Sequence, residues 1–289
     1  MSRLLDPDSA DLTLLQDRQV AVLGYDAMAA AHALNLRDSG VDVRVGIDPD
    51  SRAAGRAELD GLMVLSPTEA VAACDIVLLA AEDGAVPGLT GAALQTLLEE
   101  HTEPGDMVIV TGATGPPSVP DGVDLAMLAA VGDGDRVREE YLDGRGSPAL
   151  VAIARDESGA AWATLTAYAA AMGSLRSGAV ITPLEHQSLA QDLSERRVHM
   201  PLLQALTDTF DELVQQGVEE EVAYLAVVHD LKTRVDAIYV AGLAAQHGPD
   251  GHPGDQPLDG ARSRREAARA AHPLERVGQR VRAMMSWIR

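Results

Sequence analysis

The chain has 289 residues, of which 44 are Asp or Glu and 23 are Lys or Arg, so its formal net charge is −21. This excess of negative charge argues against binding to nucleic acid or to anionic membranes, because most of the surface would repel phosphate groups. The single Cys74 cannot form an internal disulfide, and no apolar run reaches the roughly 18 residues of a membrane span. We therefore expect a cytoplasmic protein whose partner is a small molecule or another protein.

The first half of the chain alternates short apolar runs with segments of helical composition. Residues 19–24 form an apolar run that ends in glycine, and residues 27–37 have the composition of a helix. Further short runs with strand character follow at residues 41–47, 61–65, 75–80, 107–110, 124–128 and 149–154. Strands that alternate with helices predict a parallel sheet with helices on both faces.

The second half of the chain lacks strand signals. Residues 183–217 and 218–246 predict long helices, and a loop rich in Gly and Pro at residues 248–260 precedes a final helical segment. The sequence therefore predicts an α/β fold in two domains. A Rossmann-like parallel-sheet domain occupies residues 1–181, and an all-helical domain occupies residues 182–289.

Four segments carry a resemblance to a known family. They are residues 20–48, which contain AHALNLRDSG, residues 140–146, which read EYLDGRG, and residues 229–239 and 272–287. These segments resemble the short form of ketol-acid reductoisomerase, a branched-chain amino-acid enzyme that performs an alkyl migration and a hydride transfer. The resemblance implies a dinucleotide-binding Rossmann domain, a knotted helical domain and a homodimer formed through the helical domains.

The dinucleotide site of that family is only partly matched. The family's loop resembles GYGSQGHAHAL, whereas this chain reads GYDAMAAAHAL, so Gly24 alone of the three loop glycines is retained. Asp26 places a carboxylate where the family holds phosphate, and two like charges about 4 Å apart cost roughly 4 kcal/mol at an effective dielectric near 20. Asp48 follows the next strand, where it suits a ribose diol and repels the 2′-phosphate of NADPH. An alternative is that Asp48 caps the following helix.

The metal site of the family is also only partly matched. The family binds two Mg²⁺ through two pairs of carboxylates, each pair four residues apart on a helix. In this chain the first pair reads Asp192 and Arg196, and the second reads Ala226 and Asp230. Arg cannot lose its proton and would repel a nearby metal. We therefore expect no bound metal and no bound cofactor, with Asp192 and Asp230 as residual candidates for a single cation.

Four charged or titratable residues of the helical domain are candidates for catalysis. Asp192, Arg196 and His199 lie at i, i+4 and i+7, on one stripe of a helix. Arg196 could hold an anionic or enolisable substrate while Asp192, Asp230 or His199 moves a proton. The alternatives are an ordinary ion pair between Asp192 and Arg196, and a capping or surface role for His199. Pro201 follows closely, and we expect it to end that helix.

Two further candidates follow predicted strands of the sheet. Thr111 lies in VTGAT, where the family has an AHGFN stretch, and it is a candidate substrate contact. Asp83 lies at the carboxyl end of a strand, where ligands bind in open α/β folds. The alternatives are a turn residue for Thr111 and a solvated loop for Asp83.

These differences from the family lead to one functional hypothesis and two alternatives. The hypothesis is a divergent homologue without NADPH- and Mg²⁺-dependent activity. It would be a cofactor-independent isomerase, cyclase or lyase of secondary metabolism, which performs redox-neutral cyclisation, isomerisation or elimination. The first alternative is a non-catalytic protein that binds a ligand or a partner. The second is a genuine ketol-acid reductoisomerase that uses NADH.

Overall fold

A computed structural model of the chain describes residues 3–80, 88–112 and 117–241. These residues fall into two compact units, which divide between Ala190 and Gln191. We call them the sheet unit and the helical unit. The domain limits inferred from the sequence, 1–181 and 182–289, stay a prediction. No helix in the described residues is long and apolar enough to cross a membrane.

Nine strands in the described part of the sheet unit form one sheet. They are β1 (Arg3–Leu4), β2 (Gln19–Leu23), β3 (Asp42–Gly46), β4 (Met63–Leu65), β5 (Ile76–Leu79), β6 (Met107–Val110), β7 (Asp124–Ala130), β8 (Ala149–Arg155) and β9 (Ala179–Ile181). Their order is β1-β9-β8-β7-β6-β5-β2-β3-β4. The β1–β9 and β7–β8 pairs are antiparallel, and the other pairs are parallel.

Helices cover both faces of this sheet. They are α1 (Ala27–Asp38), α2 (Arg52–Leu59), α3 (Pro67–Ala72), α4 (Gly91–His101), α5 (Gly134–Leu142) and α6 (Ala161–Ala171), with short 3₁₀ turns at Pro7–Ser9, Leu12–Leu15 and Ser174–Arg176. Side chains of β2 alternate between the two faces, so Val20 and Val22 join one hydrophobic core while Ala21 and Leu23 join the other. The predicted α/β class and Rossmann-like sheet are confirmed.

Two short strands are absent from the sequence-based prediction. β1 contains two residues and β9 contains three. Runs this short show no alternation of apolar and polar residues, which is the signal by which strands are recognised in a sequence. The six predicted strands that follow β2 are all present, as β3 to β8.

The described part of the helical unit consists of two interrupted helices. Their segments are α7 (Leu184–Ser194), which begins in the sheet unit, α8 (Met200–Gln215), α9 (Glu220–Tyr224) and α10 (Asp230–Ala241). A π-helical turn at Glu195–His199 joins α7 to α8, and another at Leu225–His229 joins α9 to α10. The predicted all-helical character of this region is confirmed for the described residues.

Pro201 does not end its helix, so that expectation from the sequence is wrong. The N–H of Met200 donates to the carbonyl of Glu195, five residues earlier, so the turn before the proline is wider than an α-turn. A proline inside an α-helix crowds the carbonyl four residues before it. The π-turn relieves this crowding, and Pro201 lies in the first turn of α8, within a helix that continues from α7.

Candidate functional site

The carboxyl ends of the parallel strands form one edge of the sheet. Because β2 lies between β3 and β5, the direction in which the chain crosses the sheet reverses there. Open α/β sheets bind their ligands at such a reversal point. The turn after β2 begins at Gly24, whose φ of 86° is rarely adopted by a residue with a side chain. The Gly24 N–H donates to the carbonyl of Gly46 at 3.0 Å, which joins this turn to the end of β3.

Asp26 is the N-cap of α1. Its Oδ1 accepts a hydrogen bond from the Ala29 N–H at 2.8 Å, and the side chain is exposed. An exposed carboxylate is screened by water, in which two charges about 4 Å apart interact by only about 1 kcal/mol. The repulsion of phosphate inferred from the sequence stays a prediction, between this value and the roughly 4 kcal/mol expected near a protein surface.

Asp48 holds the turn between β3 and α2. Its Oδ1 accepts a hydrogen bond from the Asp50 N–H at 3.1 Å, and the side chain is exposed. The N-cap of α2 is Ser51, whose hydroxyl accepts a hydrogen bond from the Ala54 N–H at 3.1 Å. The alternative in which Asp48 caps this helix is therefore wrong. An exposed carboxylate after the strand next to the glycine turn is the arrangement that binds a ribose diol.

The first turns of α1 and α5 touch at the same edge of the sheet. A Cβ atom on Gly134 would overlap the carbonyl of Ala27 and the backbone nitrogen of Met28. Only glycine permits two backbones to approach this closely. Sequence analysis missed this contact, and its signal was the Gly-Asp-Gly stretch from Gly132 to Gly134 after β7.

Thr111 is buried and makes a hydrogen bond within the fold. Its hydroxyl donates to the carbonyl of Ala80 at 2.8 Å, so it joins the chain after β6 to the chain after β5. The bond supports the alternative in which Thr111 is a structural turn residue. Its role as a substrate contact stays a prediction. Asp83, the other candidate at this edge, lies outside the described residues.

Asp192 and Arg196 form a two-pronged ion pair in the helical unit. Arg196 Nε donates to Asp192 Oδ1 at 2.7 Å, and Arg196 Nη2 donates to Asp192 Oδ2. Both side chains are exposed. The hydrogen bond from the guanidinium lowers the pKa of the Asp192 carboxyl below its ordinary value. The structure therefore brings these two predicted residues together as neighbours one helical turn apart.

The other two candidates of the helical unit also pair with residues one turn away. His199 Nδ1 lies 2.9 Å from Glu195 Oε2, and Arg234 Nε donates to Asp230 Oδ2 at 3.1 Å. All four side chains are exposed. The predicted catalytic residues of this unit are thus solvated side chains with local partners.

The described part of the helical unit carries carboxylates at two of the four ligand positions expected from the family, Asp192 and Asp230. In residues 3–80, 88–112 and 117–241, no group of three or more His, Cys, Asp or Glu side chains is placed to hold a metal ion. Asp192 and Asp230 each accept hydrogen bonds from a guanidinium, which a divalent cation would have to displace. We therefore assign no step of the reaction to a metal.

The sheet order and the glycine turn after β2 define a class, the α/β proteins with a Rossmann-like sheet. Residues 14–178 match the model of a protein family, "Acetohydroxy acid isomeroreductase, NADPH-binding domain". The chain belongs to this family, the ketol-acid reductoisomerases.

Relatives named as enzymes span the chain. The ketol-acid reductoisomerase (NADP(+)) of Saccharopolyspora erythraea is 34% identical and covers 96% of this chain and 96% of its own length. That of Kineococcus radiotolerans is 38% identical over 85% of this chain and 72% of its own length. An NADH-preferring ketol-acid reductoisomerase from an uncultured archean is a structural neighbour with a TM-score of 0.76 and 25% identity, and covers 99% of this chain and 89% of that one.

These comparisons overturn the main functional hypothesis. A cofactor-independent isomerase, cyclase or lyase of secondary metabolism is wrong, because relatives along the whole chain are named reductoisomerases and the family model is an NADPH-binding domain. That hypothesis rested on individual motif positions at which this chain lacks the family's side chain. Much of a dinucleotide site is backbone, however, and the backbone turn at Gly24 is present. The relatives of this chain are thus enzymes of the oxidoreductase type.

Proposed function

We propose that this chain is a ketol-acid reductoisomerase that takes its hydride from NADH. The observation that carries the proposal is the match to reductoisomerases over nearly the whole chain. One relative is 34% identical, and the match covers 96% of this chain and 96% of the relative. The named NADH preference of the structural neighbour supports the choice of coenzyme.

The sheet unit would bind the dinucleotide. The Gly24 turn leads into α1, whose first amides and positive dipole end suit a pyrophosphate. Asp48 would accept hydrogen bonds from the two adenosine ribose hydroxyls, and its charge would repel a 2′-phosphate. The dinucleotide, when bound, supplies the hydride.

The helical unit would bind the acid group of the substrate. A guanidinium has five N–H donors, and Asp192 accepts one hydrogen bond from Nε and one from Nη2. Arg196 therefore keeps donors for a second carboxylate, and such charge-assisted bonds orient a planar acid well. We further propose Asp192 and Asp230 as groups that hold or move a proton near the bound substrate, with His199 at the margin of this set.

We also propose that the protein is a homodimer joined through its helical units. The support is a set of large apolar side chains that the described part of this unit leaves exposed. They are Leu193, Val198, Met200, Leu202, Leu203, Val222, Tyr224, Leu225, Val235, Tyr239 and Val240. A cytoplasmic location is part of the proposal and is supported by the free, buried thiol of Cys74.

An assay of the purified chain tests the proposed reaction. The protein is mixed with 2-acetolactate and Mg²⁺, and NADH or NADPH is added in separate experiments. We expect loss of absorbance at 340 nm coupled to a dihydroxy acid that is two hydrogens heavier than the substrate, as detected by mass spectrometry. The absence of this product with both coenzymes, from protein that is folded by circular dichroism, would contradict the proposal.

A further inference from the structure

Tyr25 lies at the centre of the turn between β2 and α1, and it faces the protein interior. Its side chain is 3% exposed. The hydroxyl donates to Asp60 Oδ2 at 2.7 Å, and Asp60 is the C-cap residue of α2. A buried phenol without an acceptor would be costly, so this hydrogen bond holds the side chain in place. Burial and the neighbouring carboxylate raise the pKa of Tyr25, so the phenol stays a donor at neutral pH.

Two arginines make further hydrogen bonds between the same segments of the chain. Arg56, within α2, donates from Nη2 to the backbone carbonyl of Tyr25 at 3.2 Å. Arg37, near the end of α1, donates to the backbone carbonyl of Asp60. The side chain of Tyr25, its backbone carbonyl and the end of α1 are therefore joined to one end of α2.

The position of α2 gives this network a consequence for ligand binding. The helix begins at Arg52, directly after the turn that Asp48 orders, and ends at Leu59, directly before Asp60. A short rigid helix thus connects the loop assigned to ribose with the turn assigned to pyrophosphate. The pairing of β2 with β3 and the bond from Gly24 to Gly46 set the spacing of the two strand ends, and the bonds at the far end of α2 fix Tyr25 and its turn against that helix.

We infer that Tyr25, Arg56 and Asp60 are positioning residues for the dinucleotide, which hold the Gly24 turn in register with the Asp48 loop. We call these three residues the Tyr25 clamp. The inference rests on the proposed function, because it takes the dinucleotide as the ligand of these two loops. The clamp acts through backbone placement, so its loss weakens coenzyme binding and leaves the hydride-transfer rate of the bound complex nearly unchanged.

The variant Tyr25→Phe tests the clamp, with Tyr141→Phe as its matched control. The Tyr141 hydroxyl lies 2.8 Å from Ser39 Oγ, at the opposite end of α1, so the control loses a similar bond away from the turn. We expect Tyr25→Phe to raise the Kd and the KM for NADH about tenfold, which corresponds to about 1.4 kcal/mol. The kcat should stay within about twofold of wild type, and the thermal midpoint should fall no further than in the control.

Variants of the partner residue sharpen this test. Asp60→Asn keeps an oxygen acceptor and should bind NADH within about threefold of wild type, whereas Asp60→Ala should match Tyr25→Phe. The double variant Tyr25→Phe with Asp60→Ala should be no weaker than either single variant, since both remove one bond. Additive losses, or wild-type Kd values in both single variants, would overturn the inference.

A second measurement separates the clamp from the proposed function. If the wild-type protein does not bind NADH, the proposed function fails, and the clamp is then tested by hydrogen exchange of the Ala29 and Ala30 amides. Exchange that is at least about tenfold faster in Tyr25→Phe than in Tyr141→Phe supports a clamp that orders this turn. Equal exchange rates in the two variants overturn it.

Discussion

The sheet unit has ion pairs between distant elements as well as local ones, whereas the ion pairs of the described helical unit are all local. In the sheet unit, Arg138 of α5 reaches Asp38 at 2.5 Å and Asn35 at 2.8 Å, both on α1. In the described part of the helical unit, each ion pair joins residues one turn apart. Contacts between distant elements fix a tertiary arrangement, whereas contacts within one turn support only the local helix. The ion pairs of the described helical unit therefore support its helices locally and fix no contact between distant elements.

The two units differ in the same way in their apolar side chains. Leu78 of β5 is fully buried between the helices that cover the sheet, while Leu203 of α8 is 58% exposed. Burial of a leucine side chain contributes about 1.5–3 kcal/mol to folding. The sheet unit therefore carries its own core, and most large apolar groups in the described helical unit contribute little until another surface covers them.

The largest effect expected from this comparison is on core stability. Leu78→Ala leaves a cavity between fully buried neighbours and should lower the free energy of unfolding by about 3 kcal/mol. Leu203→Ala removes an exposed side chain and should change it by no more than about 0.5 kcal/mol in dilute protein. Urea unfolding followed by circular dichroism measures both. Equal losses in the two variants would show that α8 is as well covered as β5.

Two glycine variants test how closely α1 and α5 approach each other at the carboxyl edge of the sheet. Gly134→Ala places a methyl group against the backbone of Ala27 and should cost about 2 kcal/mol, with α5 displaced from α1. Gly55→Ala, in the interior of α2, meets no atom within 4 Å and should stabilise the protein by about 0.5–1 kcal/mol. Thermal unfolding distinguishes them, and a neutral Gly134→Ala would contradict the close approach.

The smallest expected effect on stability belongs to the helical unit, where Arg196 is proposed to bind substrate. Arg196→Gln should leave the unfolding transition unchanged, because its ion pair with Asp192 is exposed. The same variant should raise the KM for 2-acetolactate about tenfold, or about 1.4 kcal/mol. Lys232→Gln, which breaks a pair of the same spacing with Asp236, is the control and should keep the wild-type KM. An equal rise in KM in both variants would show that Arg196 does not bind the substrate.

The strands could be predicted from the sequence because each is a local apolar run between turn residues. The runs at residues 75–80 and 107–110 became β5 and β6 with almost unchanged limits. The contact of Tyr25 with Asp60 could not be predicted in this way, since the two residues are 35 positions apart and meet only in the folded chain. The π-turn before Pro201 was missed for a related reason, because a sequence shows the proline and not the turn that accommodates it.

Candidate site residues were the hardest to interpret from the sequence. Asp26 was interpreted as a barrier to phosphate, but the structure shows that it caps α1 while exposed to water. Asp192 and Arg196 were correctly placed as neighbours, because helical spacing alone determines that pair. A missing motif side chain indicates function only when the fold around it shows what that side chain did.

The ratio of kcat/KM for NADH to that for NADPH, with 2-acetolactate as substrate, tests the central claim most directly. We predict that the wild-type chain uses NADH at least about tenfold more efficiently, that Asp48→Arg removes or reverses this preference, and that Asp50→Arg two residues later keeps it. Turnover that favours NADPH in the wild-type chain, or an unchanged ratio in Asp48→Arg, would contradict the account.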